Sequence, residues 1–215
     1  MRYLIAIPSH DMIPARFLES FEKIKRLPNT ALANIRSTLI YTARNIIAEN
    51  AVKEGFDRVL WLDSDMLLPE DLMIRLAADM DEGRELVTGL YFSRVEPMVP
   101  CIQSRLEWEL NPDGWVKTGA DIYYDYPKDQ VFEIAGCGFG AVMTSTALLK
   151  RMCEKYGHPF FPLMGMGEDT SFCWRAIKEG EKLYCDSRLS CGHIGQDVFD
   201  EERYWKGRKS NEMPV

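Results

Sequence analysis

The strongest constraint on the fold is an alternation of short apolar runs with amphipathic segments over the first 90 residues. Arg2 to Ile7 reads as a buried strand ending at Pro8, with Ser9-His10-Asp11 as a polar loop. Ile13 to Leu27 carries Phe17, Phe21 and Ile24 at helical spacing. Thr30 to Ile35 is a weaker strand candidate. Ser37 then stands as a plausible N-cap for a helix from Thr38 to about Glu54, with Leu39, Ala43, Ile46, Ile47 and Ala51 as its apolar face and Gly55 as its stop. Arg58-Val59-Leu60-Trp61-Leu62 is the next strand, and it runs directly into Asp63-Ser64-Asp65. Pro69 suits a first helical position, with Glu70 and Asp71 in the acidic first turn, and Glu85 to Phe92 forms a further strand. Strands alternating with helices imply an α/β sheet with parallel strands.

The second half differs in composition. Residues 93–130 are rich in Pro, Gly, Asp, Trp and Tyr, with short strand candidates at 101–107 and 114–118. This stretch is expected to be an irregular insertion that holds part of a binding surface. Phe132 to Thr144 suggests two short strands around Gly136-Cys137-Gly138-Phe139-Gly140. Helices at about 145–156 and 169–179 and a strand at 182–186 follow, and the polar segment 187–215 is expected to be a mobile tail. With 215 residues and no internal repeat, a single domain is expected.

Charge narrows the partners. A net charge of -7 argues against a passive binder of nucleic acid or anionic membrane, which needs a basic face. It also means that a phosphorylated substrate would need a cation to offset repulsion. The N-terminal apolar run is too short for a signal peptide, and no run approaches the roughly 18 apolar residues of a membrane span, so a cytoplasmic protein is expected. The six cysteines are scattered without a C-x-x-C pair and read as buried small hydrophobes. Cys185, Cys191 and His193 are three of the ligands a zinc would need, with no fourth nearby.

Four clusters can carry chemistry. Asp63 and Asp65 stand at the end of a buried strand, where ligands of open α/β sheets sit, and alternate residues there can face one ligand. Two hard oxygen donors suit Mg²⁺ or Mn²⁺; the plainer reading is a strand end that caps the next helix. Gly165-Met166-Gly167-Glu168-Asp169-Thr170 precedes an amphipathic helix, so the two acids either serve its dipole or supply a general base. Cys191-Gly192-His193-Ile194-Gly195 sets an imidazole between glycines; as a third ligand it would favour Mn²⁺. Gly136 to Gly140 matches neither the P-loop nor the dinucleotide fingerprint and equally suits close strand packing. Arg44-Asn45, on the helix before the aspartate strand, places an arginine that can either pair with Asp63 or reach a phosphate.

Taken together and in order, these residues resemble the GT-A fold glycosyltransferases, closest to the family 2-like enzymes of bacteria and phages. The resemblance rests on Pro8, Ala43-Arg44-Asn45, Leu60-Trp61-Leu62-Asp63-Ser64-Asp65-Met66 with Pro69, Gly136 to Gly140, Gly167-Glu168-Asp169 and His193, and it spans nearly the whole chain. It implies a Rossmann-like mixed sheet flanked by helices, with residues 1–92 as the nucleotide-binding half and 93–186 as the sugar and acceptor half. It further implies that Asp65 binds Mn²⁺ or Mg²⁺ directly, that Asp63 contacts ribose or metal through water, with Ser64 between them, and that His193 completes the metal site. Pro8 and Ser9 would meet the nucleotide base, Arg44 the donor, and Gly138 and Phe139 the sugar. Asp169 would be the base and Glu168 would orient hydroxyls. The implied donor is a nucleotide-diphosphate-sugar and the acceptor a hydroxyl of a glycan, protein or small molecule. The implied reaction is a single inverting displacement, with Lys206, Arg208 or Lys209 helping the leaving group.

This chain departs from the pattern in being short and in carrying Thr170-Ser171 where many inverting relatives have another acid, so a retaining course stays open. A haloacid-dehalogenase phosphatase fits less well, because position 67 is Leu. A nucleotidyltransferase would want a Gly- and Lys-rich loop in place of Ser9 to Pro14. A non-catalytic sugar- or protein-binding module is the remaining alternative.

Overall fold

The computed structural model describes residues 1–10, 12–195 and 198–210; Asp11 and the side chain of Lys209 lie outside the described part. In chain order the elements are β1 (Tyr3–Ser9), α1 (Ala15–Lys23), β2 (Thr30–Arg36), α2 (Ile40–Lys53), β3 (Arg58–Leu62), β4 (Met66–Leu67), α3 (Leu72–Asp81) and β5 (Leu86–Leu90). Then come β6 (Ile102–Leu110), β7 (Val116–Ile122), β8 (Val131–Ile134), β9 (Gly136–Cys137), β10 (Ala141–Ser145) and α4 (Thr146–Tyr156). The chain closes with α5 (Glu168–Lys178), β11 (Leu183–Ser190), β12 (Gly192–Ile194), β13 (Val198–Phe199) and α6 (Glu201–Ser210).

A seven-stranded sheet in the order β2-β1-β3-β10-β5-β11-β8 is the frame. Strands β2, β1 and β3 run parallel, and β10 is antiparallel to both β3 and β5, so β5 shares their direction. Strand β11 is parallel to β5, and β8 returns antiparallel at the edge. The sheet is therefore mixed and mostly parallel, as expected.

Period-2 alternation along the strands divides two cores. Leu4, Ala6, Val59 and Trp61 face α2, α4 and α5, while Tyr3, Ile5, Ile7, Leu60 and Leu62 face α1 and α3. Every residue of β1, β3 and β5 is buried, which is why these runs are mostly apolar rather than alternating.

Several local expectations need correcting. Ser37 does not cap α2: the helix starts after Leu39, and the Ser37 hydroxyl accepts from Leu39 N in the turn before it. Pro69 and Glu70 likewise precede α3, whose first turn holds no acid; Asp71 sits at its cap, where its carbonyl accepts from Arg75 N. The middle stretch is not irregular. It is a long antiparallel ribbon, β6 with β7, paired through β6 to β9. Nor, as far as residue 210, is the last segment a loose tail. Strand β12 pairs with β4 and β13, and α6 docks through Tyr204, whose ring stacks on Phe92 at 4.5 Å.

Candidate functional site

The carboxyl ends of β1, β3 and β5 point to one edge of the sheet, and the chain leaving β11 crosses it as β12. In β12, His193 stands opposite Met66, and Ile194 N donates to the Asp65 carbonyl at 2.7 Å. A small sheet therefore brings residues from the two halves of the chain together. His193 Nε2 lies 3.5 Å from Asp65 Oδ2.

The orientation of that ring is fixed by its other nitrogen. His193 Nδ1 lies 2.9 Å from the Phe92 carbonyl, which can only accept, so Nδ1 donates. In the neutral ring Nε2 then presents a lone pair to a carboxylate oxygen, and the two repel unless something positive lies with them. Protonating the ring is one answer and a metal cation is the other. An imidazole whose far N–H is held by a backbone carbonyl, facing a carboxylate, is a donor set that fits Mn²⁺. Arg94 already supplies positive charge there, since its Nη1 donates to the same Asp65 Oδ2. Burial alone would raise the Asp65 carboxyl; the hydrogen bond from His193 and the charges of His193 and Arg94 outweigh it and hold the group below its ordinary range.

Asp63 is engaged elsewhere. Arg44, 2% exposed, donates from Nη2 to Asp63 Oδ1 and from Nη1 to Glu168 Oε1, both at 2.7 Å. It does not reach toward a phosphate; it ties the end of β3 to the first turn of α5. Burial would lower its pKa, but the charges of Asp63, Glu168 and Asp169 override burial and raise it. The expectation that both carboxylates of the Asp-x-Asp face one ligand is thus not met as the side chains stand. Asp63 turns to Arg44, Asp65 to His193 and Arg94, and among the described residues no three acidic, His or Cys side chains form a ready ligand set. Ser64 is half-buried between them. Cys185 and Cys191 are buried while His193 turns to Asp65, so the zinc set is not gathered either.

Asp169 lies within this carboxylate cluster. Burial raises its carboxyl pKa, Arg44 opposes that, and Glu168 and Asp63 add to the rise. Its Oδ1 accepts from Thr170 N at 2.7 Å. A carboxyl with an elevated proton affinity, on the first turn of a helix, is equipped to take up a proton.

Tyr91, just past β5, joins the two groups and was not foreseen. Its ring meets His193 edge-on at 5.6 Å, and its hydroxyl accepts from Gly140 N at 3.1 Å. Burial, Cys101, Asp63 and Asp169 together push its pKa well above the ordinary value. Gly138 and Gly140 exist for this ring. A Cβ on Gly138 would stand 2.0 Å from the Tyr91 hydroxyl and 3.5 Å from Asp169 Oδ2, and one on Gly140 would stand 2.9 Å from Tyr91 Cζ.

Phe139 does not line the site. It is 1% exposed, packed among Trp61, Phe160 and Phe172, with the Arg44 guanidinium 5.4 Å from its ring centre. Pro8 and Ser9 are also buried, and the Ser9 hydroxyl is taken by Asn34 Nδ2 at 2.8 Å. The open space beside them, a cleft of about 460 Å³, is lined by His10, Arg36, Ser37 and Thr38. Position at the carboxyl end of a strand was the available signal for Tyr91, Arg94 and Arg36 alike. At the end of the chain, Lys206 pairs with Glu202, and Arg208 lies over the rings of Tyr204 and Trp205, so both are engaged within α6.

No family model matches the chain, and no curated protein matches it. Among solved structures, 251 chains match. One is the crystal structure of A197 from STIV, similar with a TM-score of 0.62 at 21% identity, over 91% of this chain and 86% of that one. At that identity the likeness establishes a shared fold and leaves the chemistry to the site. Among the described residues, no helix is long and apolar enough to cross a membrane.

Proposed function

We propose that this protein is a GT-A-type glycosyltransferase, moving a sugar from a nucleoside-diphosphate-sugar to an acceptor hydroxyl with Mn²⁺ or Mg²⁺. The observation that carries the reading is the meeting, at the carboxyl edge of one sheet, of the Asp65–His193 pair with the Arg44-clamped carboxylates and Asp169. A divalent cation bound there would be held by Asp65 and His193, with Asp63 beside them, and would neutralise the diphosphate of the leaving nucleotide.

The protein's own groups divide the remaining work. Arg44 keeps Asp63 and Glu168 in place, leaving Glu168 to orient hydroxyls. Asp169 accepts the proton of the attacking hydroxyl, a contribution of about 10²–10⁴ in rate. The cleft at His10, Arg36, Ser37 and Thr38 has room for a nucleotide base. Transfer follows as a single displacement with inversion.

Two measurements test the reading. A panel of nucleotide-sugars, screened by thermal shift with and without Mn²⁺, should give a metal-dependent rise for its donor; a flat response across the panel removes the activity. With that donor, Asp169→Asn should bind normally and lose at least about 10²-fold in turnover. Near-normal turnover would take the base role from Asp169.

A further inference from the structure

Arg94 has no part in the reading so far, yet it donates to Asp65 Oδ2, the same oxygen that faces His193 Nε2. A guanidinium on that oxygen competes with a divalent cation for the same negative charge, and the two positive groups repel at that distance. The residue is built to let go. Its side chain is 52% exposed, so leaving costs little desolvation. Its backbone, by contrast, is anchored. It follows Ser93, whose N donates to the Val99 carbonyl at 2.8 Å and whose hydroxyl accepts from Val99 N at 3.0 Å, closing the base of the 93–99 loop. Arg203 of α6 reaches Glu96 Oε1 on the same loop at 3.2 Å. A guanidinium displaced from Asp65 therefore stays tethered over the site.

Where it would go follows from charge. A diphosphate entering this edge meets Asp63, Asp65, Glu168 and Asp169 on a chain of net charge -7. Arg44 is sealed into its clamp at 2% exposure and has no reach toward a ligand. Arg94 does, and its planar fork matches phosphate oxygens.

We propose that Arg94 is a diphosphate ligand held in reserve on Asp65, standing where positive charge is needed until a divalent cation displaces it onto the donor's phosphates. This rests on the metal and donor reading above. It adds a competition between Arg94 and the cation, and a phosphate contact that no motif in the sequence announces.

Two affinities of the full chain separate these ideas. Mn²⁺ alone, titrated by electron paramagnetic resonance, should bind Arg94→Ala about three- to fivefold more tightly than wild type, the reach of one half-exposed ion pair. Pyrophosphate at saturating Mg²⁺, followed by calorimetry, should bind the same variant about three- to tenfold more weakly. Arg94→Lys, keeping the charge but not the fork, should fall between the two. Mn²⁺ affinity unchanged or weakened in Arg94→Ala, or unchanged pyrophosphate affinity, overturns the proposal. Asp65→Ala identifies what has failed. If it loses Mn²⁺ while Arg94→Ala behaves as wild type, the metal site stands and the role of Arg94 does not. If Asp65→Ala binds Mn²⁺ as wild type does, or if none of the proteins binds it, the metal reading falls as well.

Discussion

A single guanidinium decides whether the acidic edge of this sheet can exist. Arg44 is fully buried, with Asp63 on one nitrogen and Glu168 on the other, while its Nε has no hydrogen-bond partner. Burying that charge is tolerable only because two carboxylates meet it, and they in turn depend on it. Arg44→Met should therefore cost about 3 kcal/mol in urea unfolding, since it leaves clustered like charges without a counter-ion. Loss of less than about 1 kcal/mol would mean that solvent, not Arg44, carries those charges. Pairing with Asp63 could be read from the sequence, because α2 precedes the aspartate strand and an arginine near its start can reach the strand's end. Glu168, far along the chain, could not; no local pattern announces a contact between α2 and the first turn of α5.

Between elements, the close fit of β5 against the turn from β9 to β10 is the tightest constraint. Tyr91 enters where Gly138 and Gly140 carry no side chain. Gly138→Ala should cost about 1–3 kcal/mol by overpacking, and Tyr91→Phe about 1 kcal/mol by orphaning Gly140 N. In a double-mutant cycle the two should couple by about 1 kcal/mol, because removing the hydroxyl makes room for the methyl; simple additivity would show that the ring and the glycine do not meet. The strands and helices of this region were legible because burial writes itself as apolar runs, and Val59 to Leu62 is unambiguous. The resemblance alone gives Phe139 to the sugar, whereas the local reading of Gly136 to Gly140 already allows close strand packing. The ring's neighbours Trp61, Phe160 and Phe172 come from three other places in the chain, so the core it joins is invisible locally. The last segment misled for a related reason. Its polar composition conceals β12, a strand whose stability comes from pairing with β4 rather than from its own side chains.

At the scale of the molecule, a second acidic group sits away from the candidate site. Asp79 at the end of α3 and Asp186 in β11 share Arg188, which donates to both. Burial and the charge of Asp186 raise the Asp79 carboxyl to about 6, against the pull of Arg188. A folded-state pKa above the unfolded value means that the native chain holds a proton the unfolded chain gives up. The associated stability is present in full below about pH 4 and is lost as pH rises through about 6. Urea midpoints should fall more steeply over that window in the wild type than in Asp79→Asn; parallel curves would refute the linkage. The short sheet of β4, β12 and β13 has a consequence for biogenesis. The carboxylate of Asp65 leaves the ribosome early and its imidazole partner late, so a growing chain can fold its first strands while carrying only half of the pair. Whatever the pair does therefore waits until β12 has docked on β4.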